Sequence, residues 1–254
     1  MSEMSLSALT DRSGLKKRFA VILVRPENPE NVGLIARNMK NTGFEMLRLV
    51  QMAGIDPKSR RTAVHSRDIL ERACLYADLK AAVADLQLVF AATSKRRKNF
   101  PSLSLKEAVA EMFRFPASTR IGLLFGNERT GLTSEEMQCS NFRFIIPQSG
   151  KQPSYNLASA VLLTLFHIST FKDLMDDRYK ERAVVKERPL SRKEQEECIR
   201  LVLDKLEKKR FIHETNRQHM MEMVYDLFGR LTLTDKDRKL ILALFSKSIG
   251  DDKS

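Results

Sequence analysis

The first apolar run of the chain reads Phe19-Ala20-Val21-Ile22-Leu23-Val24, and a turn over Arg25–Glu30 and an amphipathic stretch over Asn31–Asn41 follow it. The run is short, continuous and rich in β-branched residues, which is typical of a strand that is buried on both faces. Apolar side chains in the amphipathic stretch recur at helical spacing, so we expect a helix with Asn31 as its N-cap and Gly43 at its end. This region therefore predicts the first strand and the first helix of an α/β fold.

The same alternation of strand and helix continues along the first two thirds of the chain. Further strands are predicted at Met46–Val50, Leu86–Ala91, Ile121–Phe125 and Phe142–Pro147. Further helices are predicted at Asp68–Lys80, Ser104–Phe113, Thr133–Glu136 and Tyr155–Phe171, and residues 51–66 read as an irregular polar loop. Strands that alternate with helices indicate a parallel sheet, so we predict an α/β fold.

The last third of the chain has a different pattern. Residues 172–190 are charged and have no clear period, so we expect them to link a domain at 1–171 to a second domain at 191–254. Ser191 and Glu194 have the spacing of a capping box at a helix start. Further amphipathic stretches cover Glu214–Phe228 and Thr234–Ser248. This pattern predicts a small helical C-terminal domain of three helices.

The chain is strongly basic, with a formal net charge of +12 and a pI of about 9.7. Residues 1–190 hold 30 Lys and Arg against 20 Asp and Glu, whereas residues 191–254 hold 14 against 12, so the surplus lies in the first part. A basic surface raises the local concentration of polyanions. Nucleic acid and an acidic membrane face are therefore both candidate partners, and a basic surface without a partner is the alternative.

Several patterns bear on the compartment. No apolar run approaches the roughly 20 residues needed to cross a bilayer, and Met1–Arg18 lacks the apolar core of a signal peptide. Cys74, Cys139 and Cys198 are far apart and form neither a CxxC pair nor a plausible disulfide framework. We therefore expect a protein of the reducing cytoplasm that does not use a membrane.

Three loops that follow predicted strands are rich in Gly, Asn, Glu and Ser, namely Pro26–Arg37, Phe125–Leu132 and Pro147–Ala158. Ligands of open α/β sheets bind at the carboxyl ends of the strands, which makes these loops candidates for a binding site. None of them carries the GxGxxG or P-loop pattern of nucleotide-binding loops. The chain has no HExxH or GxSxG motif, and its four histidines lack metal-ligand spacing, so no metal site is predicted.

The three loops carry three motifs. They read Asn31-x-Gly33-x-x-Ala36-Arg37, then Phe125-Gly126-Asn127-Glu128-x-x-Gly131-Leu132, and then Ile146-Pro147 followed by Ser154-x-Asn156-Leu157-Ala158. In this order and spacing they resemble the SpoU (TrmH-like) branch of the SPOUT RNA methyltransferases, over about residues 18–170. The tail, above all Lys209–Ile212, is similar to the extension of the TrmJ subgroup, which methylates the ribose of a pyrimidine at position 32 of the tRNA anticodon loop.

The resemblance implies a parallel sheet whose C-terminal part forms a SPOUT-type trefoil knot. It also implies a homodimer that binds S-adenosyl-L-methionine in the knotted loops and acts on RNA, with tRNA as the expected substrate. Apolar side chains and loop backbone would hold the adenosine end of this cofactor. The residues implied for cofactor binding are Thr93, Ser94, Leu124, Gly126, Asn127, Gly131, Ile146 and Leu157.

The resemblance also implies five catalytic residues. Arg37 matches the catalytic arginine and Asn31 its orienting neighbour, and Glu128, Ser154 and Asn156 match polar positions of the other motifs. An arginine can grip a phosphate and stabilise a developing alkoxide. A guanidinium holds its proton too tightly to be a ready general base, so the base stays open.

Structural roles stay open for the same residues. Asn31, Ser154 and Asn156 could each only cap a helix, Glu128 could only pair with Arg129 or tie its loop, and Arg37 could be a plain surface residue. Tyr155 stands where the family often has a smaller aliphatic residue, and its ring could stack on a base or simply pack.

Basic residues near the predicted site are candidates for RNA binding. The run Lys95-Arg96-Arg97-Lys98 follows a predicted strand, and phosphate contact and a solvated surface are both open for it. Arg60, Arg61 and Arg67 are candidates of the same kind. Three functions remain open: a tRNA 2′-O-methyltransferase, an rRNA 2′-O-methyltransferase of the same superfamily, and a non-catalytic RNA-binding protein with the same fold.

Overall fold

The computed structural model describes residues 17–94, 102–149, 154–171, 185 and 187–246. Within these residues seven strands form one sheet in the order β3-β2-β1-β6-β4-β7-β5, and every neighbouring pair is parallel. The strands are β1 (Phe19–Val24), β2 (Met46–Val50), β3 (Cys74–Tyr76), β4 (Leu88–Ala92), β5 (Leu103–Ser104), β6 (Ile121–Phe125) and β7 (Phe142–Ile145). The predicted parallel α/β sheet is confirmed.

Helices cover both faces of this sheet, and a helical tail follows. In the first part they are α1 (Pro29–Thr42), α2 (Pro57–Ala63), α3 (Arg67–Glu71), α4 (Leu79–Val83), α5 (Leu105–Arg114), α6 (Ser134–Gln138) and α7 (Leu157–Thr170). The tail holds α8 (Arg192–Lys208), α9 (Arg217–Arg230) and α10 (Asp235–Ser246). None of the described helices is both long enough and apolar enough to cross a membrane.

Strand β1 is wholly buried, as its continuous apolar run predicts. Its side chains alternate between two cores, because successive residues of a strand point to opposite faces. Phe19, Val21 and Leu23 belong to the larger core. Ala20, Ile22 and Val24 belong to the smaller one. The sheet is therefore a middle layer, and only its edges and strand ends remain for binding.

The expected start of α1 was wrong, and its expected end is confirmed. Asn28 caps the helix by accepting a bond from the Glu30 backbone N–H, and Pro29 at the first helical position has a φ suited to that start. Asn31 lies inside the helix and is free for another role. Gly43 ends the helix with a φ of 85°, a left-handed conformation that favours glycine.

Two further expectations were wrong between β2 and β4. Residues 51–66 contain α2, because Asp56 caps it and Pro57 starts it. The helix expected over Asp68–Lys80 is instead α3, β3 and α4, because Asp78 caps a new helix after the short edge strand. Cys74 and Leu75 of that strand are exposed, so it lacks the apolar pattern of a buried strand.

The tail begins as expected, with a capping box between Ser191 and Glu194. Its three described helices enclose a small core of their own that includes Ile199, Val224 and Phe228. It is tied to the first part by backbone bonds from Arg192 N–H to the Leu86 carbonyl and from Lys193 N–H to the Ala84 carbonyl, at 2.8 and 2.9 Å. Most of the linker expected over 172–190 lies outside the described residues.

Candidate functional site

A cavity of about 240 Å³ lies beyond the carboxyl ends of β4, β6 and β7, and we call it the sheet-edge cavity. Seven of the residues implied for cofactor binding line it: Thr93, Ser94, Gly126, Asn127, Gly131, Ile146 and Leu157. Leu124 does not line it, because this residue is fully buried within β6 in the smaller core. Residues 95–101 and 150–153, which adjoin the lining residues Ser94 and Ser154, lie outside the described residues.

The loop after β6 folds back on itself and forms one wall of the sheet-edge cavity. The Gly131 N–H donates to the Asn127 carbonyl at 2.9 Å, and Gly131 has a φ of +68°. A Cβ on Gly126 would lie 2.4 Å from the Gly131 carbonyl carbon and 2.5 Å from the Leu132 nitrogen. Only glycine at position 126 therefore permits this close backbone approach.

Glu128 ties this loop to the start of α1. Its carboxylate accepts hydrogen bonds from the backbone N–H groups of Glu27 and Asn28, at 2.9 and 3.2 Å, and from Asn31 Nδ2 at 2.9 Å. Partial burial acts to raise the pKa of Glu128, but the hydrogen bonds outweigh it and hold that pKa below its usual value. Glu128 is thus an anion that lines the cavity at neutral pH.

Asn31 connects Glu128 to the third motif. Asn31 is 4% exposed, and its Oδ1 accepts a bond from Asn156 Nδ2 at 3.1 Å. Asn156 Oδ1 in turn accepts from the Ala158 and Ser159 N–H groups at the start of α7. The orientation of each amide follows, because a carboxylate only accepts and an N–H only donates. One hydrogen-bonded chain, Glu128–Asn31–Asn156, thus joins all three motifs, and Asn156 also has the capping role left open by the sequence.

Arg37 lies apart from this chain. It is exposed on α1 and does not line the sheet-edge cavity, whereas Ser154 is exposed and does line it. Next to Arg37, Asn38 Nδ2 donates to the Ala158 carbonyl at 3.1 Å and ties α1 to α7. The structure therefore brings together four of the five expected catalytic residues and leaves Arg37 on an outer surface.

Sequence reasoning missed one ion pair of this region. Arg25 Nη2 donates to both carboxylate oxygens of Glu136, at 2.6 and 2.9 Å, and the Arg25 carbonyl accepts from Asn127 Nδ2 at 2.8 Å. The spacing of Thr133 and Glu136 indicates the capping box that starts α6. No local pattern predicts that Glu136 also binds Arg25, which lies 111 residues away. The pair fixes the loop after β1 against the cavity wall.

Only some of the candidate RNA-binding residues lie among the described residues. Arg60 and Arg61 are exposed on α2, and Arg67 is exposed at the start of α3. Lys95, Arg96, Arg97 and Lys98 lie outside the described residues. Arg129 pairs with Glu27 at 3.2 Å rather than with Glu128. Within the described ranges, no group of His, Cys, Asp and Glu could hold a metal ion.

Comparison with known proteins agrees with this geometry. The model of the SpoU rRNA methylase family matches residues 18–166, which contain all three motifs. The chain belongs to this family. The resemblance found in the sequence is thereby confirmed, whereas the trefoil knot that it implies stays a prediction.

Two relatives extend the comparison. The tRNA (cytidine-2′-O-)-methyltransferase TrmJ of Methanocaldococcus jannaschii is 31% identical over 233 residues, which cover 89% of this chain and 98% of that protein. The tRNA (cytidine/uridine/adenosine-2′-O-)-methyltransferase TrmJ of Pseudomonas aeruginosa is 33% identical over 156 residues, 59% of this chain and 60% of that protein. Family members thus differ in the bases that their names specify.

The crystal structure of TrmJ from Z. mobilis ZM4 is similar in fold, with a TM-score of 0.76 and 25% identity. The match covers 89% of this chain and 97% of that one, so it includes most of the helical tail. The similarity is therefore not limited to the family domain.

Proposed function

We propose that this protein transfers a methyl group from S-adenosyl-L-methionine to a ribose 2′-hydroxyl of tRNA, at the pyrimidine in position 32 of the anticodon loop. The observation that carries the proposal is the chain Glu128–Asn31–Asn156, which joins the three family motifs next to the sheet-edge cavity. Residues of the second and third motifs line this cavity. TrmJ of Methanocaldococcus jannaschii, named as a tRNA 2′-O-methyltransferase and aligned over 98% of its length, supports tRNA as the substrate.

The residues of the sheet-edge cavity fit the adenosine end of the proposed methyl donor. Its walls combine apolar side chains such as Ile146 and Leu157 with a backbone turn at Gly126 and Gly131. Apolar surfaces with a few fixed polar groups are typical of cofactor pockets. The ionised Glu128 favours a ligand that carries a positive charge. Ile146 and Leu157 would pack on the adenine, and the turn at Gly126 would present backbone groups to it.

S-adenosylmethionine, when bound, supplies an electrophilic methyl group on a positively charged sulfur. The protein's own contribution is mainly positioning, because methyl transfer needs an in-line approach. Glu128 keeps the loop after β1 in place, since its oxygens are already engaged by three N–H groups and its lowered pKa makes it a weak base. Asn31 and Asn156 hold the third loop at a fixed distance, and Ser154 faces the cavity.

We also propose that the protein is a homodimer and that Arg37 acts across the dimer interface. Leu34 on α1 and Leu162 and Phe166 on α7 are 37%, 38% and 52% exposed, on two helices that pack against each other. Exposed apolar patches of this kind mark interaction surfaces. Arg37 lies exposed on the same helix as Leu34, and in this proposal it stabilises charge on RNA that is bound at the partner's cavity.

Two further assignments complete the proposal. Arg60, Arg61 and the run Lys95–Lys98 contact RNA phosphates, which the basic surplus of the first 190 residues supports. The activity takes place in the cytoplasm, and the three free cysteines, one of them exposed, support a reducing compartment.

The substrate is tested with purified protein, labelled methyl donor and matched RNAs. We expect label in tRNA, and none in the same tRNA when position 32 carries a 2′-deoxyribose, because the accepting oxygen is then missing. Mass-spectrometric mapping of digested tRNA should place the 2′-O-methyl group at position 32. Label in rRNA alone, or label that persists in the 2′-deoxy tRNA, would contradict the proposed substrate.

The role of Arg37 is tested with mixed dimers of Arg37→Ala and Gly126→Ala. Each variant alone should be inactive. If Arg37 acts across the interface, the mixed dimer regains one complete site, which combines the intact cavity of one chain with the intact Arg37 of the other. An inactive mixed dimer would show that Arg37 works within its own chain.

A further inference from the structure

A second cavity, of about 770 Å³, lies between the first part of the chain and the helical tail, and we call it the tail cavity. Helices α4 and α6 form one side, and α8 and α9 form the other. Its volume lies within the usual range for small-molecule sites, roughly 300–1,000 Å³. Neither the proposed methyl transfer nor any motif of the sequence uses it.

Gln195, which lines the tail cavity, has a buried donor without an acceptor. Gln195 is 1% exposed, and its Oε1 accepts from Arg192 Nη1 at 2.7 Å. Because a guanidinium only donates, this bond fixes the amide with Nε2 on the other side. Gln195 Nε2 is buried and has no hydrogen-bond partner among the described residues. A buried donor without a partner costs about 1–3 kcal/mol, which a ligand acceptor would recover.

Arg192 adds a positive charge without an ion-pair partner. Its Nη2 donates to the Gln138 carbonyl at 3.0 Å, and within the described residues no carboxylate lies within 4.0 Å of the guanidinium. Burial lowers the pKa of Arg192, so the group is poorly solvated. Arg192 and Gln195 both line the cavity, and N–H groups such as theirs suit an oxyanion.

The other residues that line the tail cavity indicate the remaining chemical features of a ligand. Glu196 lies one turn beyond Arg192 on the same face of α8, since residues three and four apart are neighbours on a helix. Ile199, Met221 and the ring of Tyr225 supply an apolar wall. The charged lining residues balance, with Lys80, Arg192, Lys193 and Arg200 against Glu135, Glu196, Glu197 and Glu222. This balance does not suit a polyanion such as RNA.

We propose that the tail cavity binds a small molecule with a free α-amino-acid group and an apolar body. The carboxylate accepts from Gln195 Nε2 and Arg192, the ammonium group lies against Glu196, and the body packs on Ile199, Met221 and Tyr225. Free amino acids carry this group, and so does the amino-acid end of S-adenosylhomocysteine, the product of a methyl donor. The site does not depend on the proposed methyl transfer.

Calorimetry on the full chain with L-phenylalanine, L-methionine and S-adenosylhomocysteine tests the site. If free amino acids are the ligand, L-phenylalanine binds, and its methyl ester and its N-acetyl derivative each bind at least about tenfold more weakly, because one charge of the head group is lost. If the methyl-donor product is the ligand, S-adenosylhomocysteine still binds to Gly126→Ala, in which the sheet-edge cavity is disrupted. Binding of neither amino acid at millimolar concentration, with no S-adenosylhomocysteine bound by Gly126→Ala, overturns the proposal.

The variant Gln195→Glu tests whether the ligand binds in the tail cavity. The substitution is nearly isosteric, keeps the acceptor for Arg192 and removes the free donor. It should weaken tail-cavity binding at least about tenfold. The thermal midpoint should not fall, because Arg192 gains a carboxylate. Gln218→Glu is the charge-matched control, since it adds a carboxylate at an exposed lining position whose amide already donates to Glu222, and it should bind the ligand as the native protein does. Native-like affinity in Gln195→Glu, or loss of tail-cavity binding in both variants, overturns the assignment.

Discussion

The sheet-edge cavity and the tail cavity differ in how their polar groups are satisfied. At the sheet edge, Glu128, Asn31 and Asn156 bond to one another and to backbone N–H groups without any ligand. In the tail cavity, Gln195 Nε2 has no partner among the described residues. A satisfied network fixes geometry in advance, whereas an unsatisfied donor is completed only by what binds to it. The first cavity is therefore preorganised, whereas a ligand that supplies the missing acceptor would stabilise the second.

The largest effect should come from Gly126→Ala, which removes the preorganisation of the sheet-edge cavity. The new Cβ would meet backbone atoms of Gly131 and Leu132 at 2.4 and 2.5 Å, and backbone cannot yield cheaply. We expect affinity for the methyl donor to fall about a hundredfold by calorimetry, because a displaced turn no longer presents its backbone groups to the ligand. Gly54→Ala is the control, because a Cβ there meets nothing within 4 Å. Equal affinity in the two variants would mean that the loop after β6 does not shape the site.

The next largest effect should come from Asn31→Asp, which breaks the hydrogen-bonded chain. The new carboxylate removes the donor to Glu128 and faces a like charge, so unfolding by denaturant should show a loss of about 2–3 kcal/mol near neutral pH. The loss should shrink as acid protonates one of the two groups. Asn38→Asp on the same helix loses a bond to a neutral carbonyl and should cost less. An equal cost in both variants would contradict a special role for the Glu128–Asn31 bond.

A smaller effect follows from the lowered pKa of Glu128. The contribution of its carboxylate to stability should be complete above the usual value of 4.5 and should disappear as pH falls through the lowered pKa. The free-energy difference between native protein and Glu128→Gln, measured by denaturant titration across acidic pH, should therefore shrink toward low pH. A difference that stays constant with pH would show that the charge of Glu128 is not what holds the loop.

The smallest effect should come from Tyr225→Phe in the tail cavity. The Tyr225 hydroxyl donates to Glu196 at 2.8 Å, and Glu196 keeps its contact with Arg200 at 3.4 Å when the hydroxyl is removed. We expect a loss of about 1 kcal/mol by thermal or denaturant unfolding. If Tyr225→Phe lowered the free energy of unfolding as much as Asn31→Asp does, the polar groups of the tail cavity would be as important for stability as those of the sheet-edge cavity.

The sequence predicted those features that depend on neighbours along the chain. The apolar run Phe19–Val24 gave a buried strand, and the spacing of Ser191 and Glu194 gave a helix start. Asn31 was misjudged because its partners, Glu128 and Asn156, lie 97 and 125 residues away, whereas a capping role needs only local residues. The motifs marked these side chains as functional, but only the fold gives the order in which they bond.

The tail cavity could not have been predicted. Arg192, Gln195 and Glu196 are polar residues in the first turns of a helix, and such residues normally face water. They are drawn into a cavity because α8 begins with backbone bonds to Ala84 and Leu86 in the first part of the chain. No pattern within the tail carries that information.

Helix α6 separates the two cavities and belongs to both. Met137 lines the sheet-edge cavity, whereas the adjacent Gln138 lines the tail cavity and accepts a hydrogen bond from Arg192 through its carbonyl. Because α6 has only five residues, a movement of this helix at one cavity also moves the wall of the other. Thermodynamic linkage is reciprocal. If a ligand in the tail cavity changes the affinity of the sheet-edge cavity for its own ligand, then the ligand in the sheet-edge cavity changes the affinity of the tail cavity by the same factor.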